Sequence, residues 1–536
     1  MTMRNFYIKT LPLVTLMLLT NSLSQLPIKL NHPASIIIKR LSAQGKISLE
    51  YFGKNSMSSI NVNQILDKSS YKSHINSLWN ITVPTKNISK DSINETGNIA
   101  YLYDNMLKSN LNIEKKYFYQ SASDSSLMWI KIRENILSQS QKDNKSFQYV
   151  EDLRFNGIFY NRLYVSTIFS MFRHSGNQIL ISNNYKNEWT KYFQEINMTF
   201  WYLNNTSLYL KTALVDIEIA NNPFSWGWSS GNSPILSAKA APFNRVSLYK
   251  SFGKLNFEYF HGNIIDRSVD EVHNQNIKKE KFIAGHRAQF KISNDLYASI
   301  SELVIYGNRS PELSYINPIS FFWAQEHNLG DLDNILIAAD LGYRFIPGCI
   351  IYNTLLLDEL SWKDIFNNWW GNKFSYQFGL YLTSKNITLP DLRIEYTATR
   401  PWTYTHPDFS YSHRQIPLGS PNGPSSKTLL IESFFFPTSR TILYGSFEHA
   451  LKGIGEGSGL LDNYDNRDIK YDWDTEFLLE NKTSSDKFKF DIQYLISMYL
   501  KLRGTIIINH TAHPEIMSGK INETEKTFIV GIDFNW

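Results

Sequence analysis

Two short stretches bring together the side-chain types that hold a sugar. Trp226-Gly-Trp228-Ser229-Ser-Gly-Asn232 supplies two flat aromatic faces, hydroxyls, an amide and glycines that let a ligand approach the backbone. Arg400-Pro-Trp402-Thr-Tyr404-Thr-His406 offers the same mixture with a cation added. Sugar C–H groups stack on aromatic rings, while amides, carboxylates and guanidinium groups bind hydroxyls and acidic substituents. Arg309 is a further candidate for such contact. A second set, Arg287, Glu302, Arg309, Glu312 and Glu326, has the signs to form a charged ladder across a wet interior. Each residue also has a plainer reading. Trp and Tyr anchor membrane interfaces, Gly makes turns, and a wide barrel needs ion pairs simply to satisfy its inward charges.

Other chemistries find little footing. His510 and His513 stand three apart, which in a strand points them to opposite faces. Neither they nor His406 and His413 have a Cys or close carboxylate to complete a tetrahedral set, so no metal is expected. The glycines at 453, 455, 457 and 459 lack the Gly-Lys-Ser/Thr ending of a nucleotide loop. No Gly-x-Ser-x-Gly elbow occurs. The expectation is a protein without cofactor and without enzymatic activity. Net charge is +5, too small and too dispersed for nucleic acid.

The elements that would carry these residues read as membrane strands. Near the C-terminus Phe528, Val530, Ile532, Phe534 and Trp536 alternate with Ile529, Gly531, Asp533 and Asn535. An apolar face backed by a mostly polar one, ending on an aromatic residue, is how a transmembrane β-barrel closes. The same alternation recurs at Leu255, Phe257 and Tyr259, at Leu392, Ile394 and Tyr396, and at Phe488, Phe490 and Ile492. Aromatic residues make up 14% of the chain, yet mean hydropathy is −0.31, which suits the aromatic girdles of a barrel. Arg4 and Lys9 precede a short apolar run, and Ser22-Leu-Ser24 offers small residues for signal cleavage. Export also fits the single cysteine, Cys349.

The resulting plan has three parts. Residues 1–24 are a signal peptide, 25–146 a partly helical periplasmic region, and 147–536 a large antiparallel β-barrel. Helical candidates in the second part begin at Pro33, ending at Gly45, and cover 62–78, 100–111 and 127–137. At ~20 to 25 residues per strand with its connections, the barrel would have roughly 16 to 18 strands. Segments 410–427 and 452–471 are candidate external loops.

Four stretches in order resemble the capsule assembly protein Wzi family of outer-membrane barrels. They are the run from Asn222 to Ser237 with Ala240-Ala-Pro-Phe243, then Ala284-Gly-His-Arg287, then Glu302 to Arg309 leading to Leu313-Ser-Tyr-Ile-Asn-Pro318, and Glu395 to His406. The resemblance implies a barrel of about eighteen strands with a helical N-terminal part on its periplasmic side, and a surface lectin that holds capsular polysaccharide. The expected partners are therefore surface polysaccharide and outer-membrane lipid. The protein is expected to be a monomer in the outer membrane of a Gram-negative cell. Two other functions fit the same sequence: a porin-like channel for small solutes, and a barrel enzyme acting on lipid or glycan.

Overall fold

A computed structural model describes residues 27–28, 33–53, 57–58 and, with short breaks, 118–535, the longest break being 177–192. Eighteen antiparallel strands close into one barrel. The first four are β1 (Ser126–Gln141), β2 (Asn144–Phe159), β3 (Leu163–Gly176) and β4 (Met198–Leu210). Next come β5 (Asp216–Asn222), β6 (Phe243–Phe252), β7 (Leu255–Asp270), β8 (Gln275–Lys291) and β9 (Leu296–Gly307). They are followed by β10 (Asn334–Ile346), β11 (Cys349–Glu359), β12 (Lys373–Leu382) and β13 (Asp391–Thr399). The series ends with β14 (Ser426–Thr438), β15 (Thr441–Gly453), β16 (Lys482–Leu495), β17 (Leu500–Ala512) and β18 (Glu523–Asn535). Closure is made by β18 on β1, from Thr527 opposite Gln141 to Asn535 opposite Arg133.

The alternation read in the sequence decides which face meets what. On β18, Phe528 and Val530 are 50% and 65% exposed, whereas Asp533 is buried inside. On β10, Ile337, Leu341, Tyr343 and Phe345 are exposed and Leu336, Ala338 and Asp340 are buried. Apolar outside and polar inside is the reverse of a soluble sheet and is what lipid demands. Among the described residues no helix is long and apolar enough to cross a membrane. Trp536, and the helical candidates at 62–78 and 100–111, lie outside the described residues, as does the signal segment.

One sequence expectation needs correction. The segment 127–137 is no helix but most of β1, and 147 falls inside β2, so the barrel starts about twenty residues earlier than the sequence suggested. The physical reason is closure. Ile130, Ile132 and Ile136 have one face to the outside, while Arg133 and Asn135 reach Asp533 of β18 on the inside, a partner 398 residues away for Asn135. Local spacing of the isoleucines fits a helix as well as a strand.

The helix read from Pro33 lies inside the barrel. Helix α1 (Pro33–Ala43) and the single turn α2 (Glu50–Gly53) sit within the end of the barrel that carries the short turns 347–348, 383–390 and 439–440. By the usual asymmetry of such barrels this is the periplasmic end. Ile36, Ile37, Ile38 and Leu41 pack on Ile387, Phe436 and Ile442. Arg40 pairs with Asp391 and donates to the Asn386 carbonyl at 2.8 Å, so the helix is tied to the turn between β12 and β13. Gly45, with φ +76°, ends the helix where the Arg344 guanidinium crosses it.

Candidate functional site

Two connections at the opposite end fold inward instead of outward. The 223–242 segment, between β5 and β6, carries the first tryptophan motif. Trp226 and Trp228 are 1% and 0% exposed. Trp226 lies edge-on to Phe260, centroids 5.0 Å apart, in an apolar cluster with Ile283, Leu303, Leu336 and Leu356, all inward residues of the barrel wall. Trp228 packs between Phe52 and Tyr297 and over Gly342, where a Cβ would come within 2.5 Å of the indole. Glycine at 342 therefore makes room for the ring. Ser229 donates to Glu395 Oε2 at 3.0 Å, and Lys239 Nζ donates to Asn232 Oδ1 at 2.6 Å.

The second motif begins the 400–425 segment, which lies against the first. Tyr404 and Tyr411 stack with centroids 5.5 Å apart, and their hydroxyls donate to the Pro234 and Ile235 carbonyls at 2.8 and 2.6 Å. Trp402 and Tyr404 hold left-handed φ of +64° and +74°. Bulky residues adopt that region at a cost of order 1–3 kcal/mol each, offset here by surrounding packing. Arg400 Nη2 donates to the Trp369 and Thr475 carbonyls at 3.3 and 3.1 Å.

This placement corrects the sugar-contact assignment for several residues. Trp226, Trp228, Ser229, Trp402 and Tyr404 are buried in protein, so their rings and hydroxyls clamp the two loops and present no face to a ligand. Arg400 is buried in the same way. Asn232 reaches a small polar pocket with Lys239, Thr397, Ser420, Asn422 and Glu448. His406 is half-buried; its Nδ1 accepts from the Asp408 and Phe409 N–H groups at 3.2 and 3.0 Å. Burial, with Lys373 nearby, lowers its imidazole to about 4. Arg309 is forked onto Asp333 at 2.9 and 2.5 Å, so its guanidinium is committed to an ion pair.

The proposed charge ladder is also divided. Arg287 faces the lumen and donates to Asp340 at 2.7 Å. Glu302 points to the outer wall, because it pairs with Ile337 and not with an inward residue, and Arg309, Glu312 and Glu326 belong to the connection after β9. A further set of inward charges lies on β1, β2 and β16 to β18. Asp533 takes Arg133 and Lys501 at 2.7 and 2.6 Å, Asp491 takes Arg503 at 2.6 Å, and Asp152 takes Arg154 at 2.6 Å. Glu326, His327 and Asp331 bring three potential ligand atoms within 4.8 Å, two of these residues exposed.

Sequence reasoning missed the aromatic group that does reach water. Trp369 and Trp473, from the 360–372 and 454–481 loops, lie 6.3 Å apart at 36°, and Trp473 is 62% exposed. Behind them Trp370 packs on Trp402 and Tyr464, with the Arg467 guanidinium 3.8 Å from the Trp370 centroid. Arg467 is itself held by Asp472 at 2.9 and 3.0 Å. Trp370 N–H donates to the Asp472 carbonyl and Thr475 N–H to the Asn368 carbonyl, at 2.8 and 2.9 Å, so the two loops are bonded to each other. The only available signal was the adjacent pair Trp369-Trp370 in a polar connection.

No protein-family model and no curated protein matches the chain. Among solved structures it is similar to Wzi from Escherichia coli, described as an outer-membrane carbohydrate-binding β-barrel involved in group 1 capsule assembly. The TM-score is 0.54 at 11% identity, over 96% of this chain and 99% of that one. The chain has an outer-membrane β-barrel fold. At that identity the likeness is one of fold. Lower similarity extends to OccD1 (OprD), with a TM-score of 0.43 at 10% identity over 79% of this chain and 97% of that one. It extends likewise to OccAB2 from Acinetobacter baumannii, at 0.44 and 9%, over 77% and 98%.

Proposed function

We propose that this barrel is not an enzyme and that it binds surface polysaccharide at its external end, with Trp369 and Trp473 as the stacking platform. The observation that carries this reading is the dry packing of one lumen wall. Phe260, Ile283, Leu303, Leu336 and Leu356 face inward and are covered by Trp226, Tyr404 and Tyr411 from the two inward loops. A water-filled channel needs polar inward residues there, whereas a platform needs a rigid base. The exposed Trp473 on the half-buried Trp369, with Arg467 and Asp472 behind them, has the aromatic and ionic groups suited to a polysaccharide carrying acidic or hydroxyl substituents. The similar structure is that of a carbohydrate-binding barrel, which supports the same reading.

One observation favours the porin-like alternative: the opposite wall, with Asp152, Asp491 and Asp533 and their cations, is polar. The test uses the purified protein and its own cell's surface polysaccharide on a binding surface. Wild type should retain the glycan, and the Trp369→Ala/Trp473→Ala double variant should bind roughly tenfold more weakly, about 1.4 kcal/mol. No binding by wild type, together with large steady conductance in a planar bilayer, would establish the channel instead.

A further inference from the structure

The connection between β9 and β10 does not project from the barrel but lies flat on its outer wall. It contains α3 (Leu313–Ile316) and α4 (Phe322–Leu329). The wall beneath is made by outward residues of β7 to β10. Tyr259, Ala284, Val304, Tyr306 and Ile335 pack against Tyr315 and Phe322, both 0% exposed. Tyr259 donates to the Tyr315 carbonyl at 2.9 Å, and the Glu312 N–H donates to the Tyr306 hydroxyl at 3.1 Å. Arg309 and Tyr315 both bind Asp333, which ties the start of the connection to its end.

At the centre of this contact is an ionisable group on the side of the barrel that meets lipid. Glu302 is two residues from Ile300, which is 59% exposed on the same face, and directly opposite Ile337, also exposed. An uncovered carboxylate in that band is destabilising. Here it is enclosed: the Phe322 and Trp323 N–H groups donate to its two oxygens at 2.9 and 2.7 Å, and His286 Nε2 lies 2.9 Å away. Glu302 thus caps α4 from the barrel wall, because α4 has no side-chain cap of its own.

The far side of the connection is mainly apolar, and none of the described residues covers it. Leu313 is 78% exposed, Ile319 82%, Phe321 57% and Trp323 48%. Water-facing loops rarely gather four such residues, and the backbone of Phe322 and Trp323 is bonded to Glu302, the neighbour of Ile337 in the lipid-facing band. The exposed polar residues His327, Asn328 and Asp331 lie at the other end of α4, and Asn317 is the exposed polar residue within 313–323.

From these observations we infer that residues 313–323 are inserted into the membrane as an extension of the barrel wall, with the acyl chains of the outer leaflet covering Leu313, Ile319, Phe321 and Trp323. Glu302 is the latch that holds them there. An apolar helix-containing layer of this kind thickens the lipid-facing surface on one side of the barrel.

The lone cysteine makes the test direct. In a Cys349→Ser background, Ile319→Cys and Phe321→Cys are labelled in turn with an environment-sensitive fluorophore, and the full-length protein is reconstituted in vesicles of phosphatidylcholine with brominated acyl chains. Ile300→Cys serves as the lipid-facing control and Asp474→Cys as the external-loop control. Labels at 319 and 321 should be quenched by bromine as strongly as at 300, and by aqueous iodide much less than at 474. Iodide quenching equal to that at 474 would overturn insertion in favour of a water-facing loop. Protection from both quenchers would overturn it in favour of a protein partner, such as a second copy of the chain. For the latch, Glu302→Ala should reduce bromine quenching at 319 to the level at 474 while heat-modifiable barrel persists; unchanged quenching would remove Glu302 from the account, and Glu302→Gln, which keeps one acceptor, should fall between.

Discussion

Two kinds of tryptophan should respond differently to the same substitution. Trp228 is fully enclosed, so Trp228→Ala should cost about 3–5 kcal/mol through lost burial and an incompletely filled cavity. The check is an earlier urea midpoint with glycan binding retained by the protein that stays folded. Trp473 is 62% exposed and its replacement should leave that midpoint within about 0.5 kcal/mol while weakening binding. His406 supplies a pH-dependent case. Its imidazole is held at about 4 against an ordinary 6.5, so the folded loop favours the neutral ring. Stability from this group is complete above pH 6.5 and is lost as pH falls toward 4, because the unfolded chain takes up the proton first. The protonated ring can no longer accept from the Asp408 and Phe409 amides. Hydrogen exchange at those two amides, corrected for its intrinsic pH dependence, should rise across this window and stay flat in His406→Asn. A flat profile in wild type would reject the assignment.

Among the elements, α1 is the clearest example of an anchor made by one buried ion pair. Arg40 is 0% exposed and Asp391 2%. Removing one partner strands a charge, so Arg40→Met should lose about 3–5 kcal/mol. Arg40→Met with Asp391→Leu should lose clearly less, and equal losses in the single and double variants would show that the charge pairing is not what matters. The helix itself was legible from Ile36, Ile37 and Leu41 followed by Gly45, but its location was not. Nothing in that periodicity says that its apolar face meets Ile387, Phe436 and Ile442 inside a barrel, since those contacts cross some 350 residues. The segment 127–137 shows the converse difficulty. Its isoleucines satisfy two periods, and the choice between them is made by Asp533 on the last strand.

At the scale of the molecule, one wall of the lumen carries an apolar layer beside the Arg287–Asp340 pair, and the opposite wall is charged throughout its network. The apolar layer is sealed by Tyr404 and Tyr411, whose hydroxyls hold Pro234 and Ile235. Tyr404→Phe with Tyr411→Phe removes both bonds while keeping both rings. In planar bilayers wild type should show small or no steady conductance, and this double variant should show frequent transient openings. Frequent openings already in wild type would mean that the inward loops do not seal the barrel.

The sequence by itself determined the wall: strict alternation, aromatic excess and a closing strand specify an apolar exterior and a polar interior, because a side-chain period of two is a local property of each strand. It also contained the tryptophan and tyrosine motifs, but not their direction. Buried clamps and exposed platforms use the same residue types, and only the path of the 223–242 and 400–425 loops into the lumen decided that Trp226, Trp228, Trp402 and Tyr404 are clamps. Likewise the alternation leaves Glu302 on the lipid side as an apparent error. Tertiary structure resolves it, by bringing the N–H groups of α4 from twenty residues away to cover the charge.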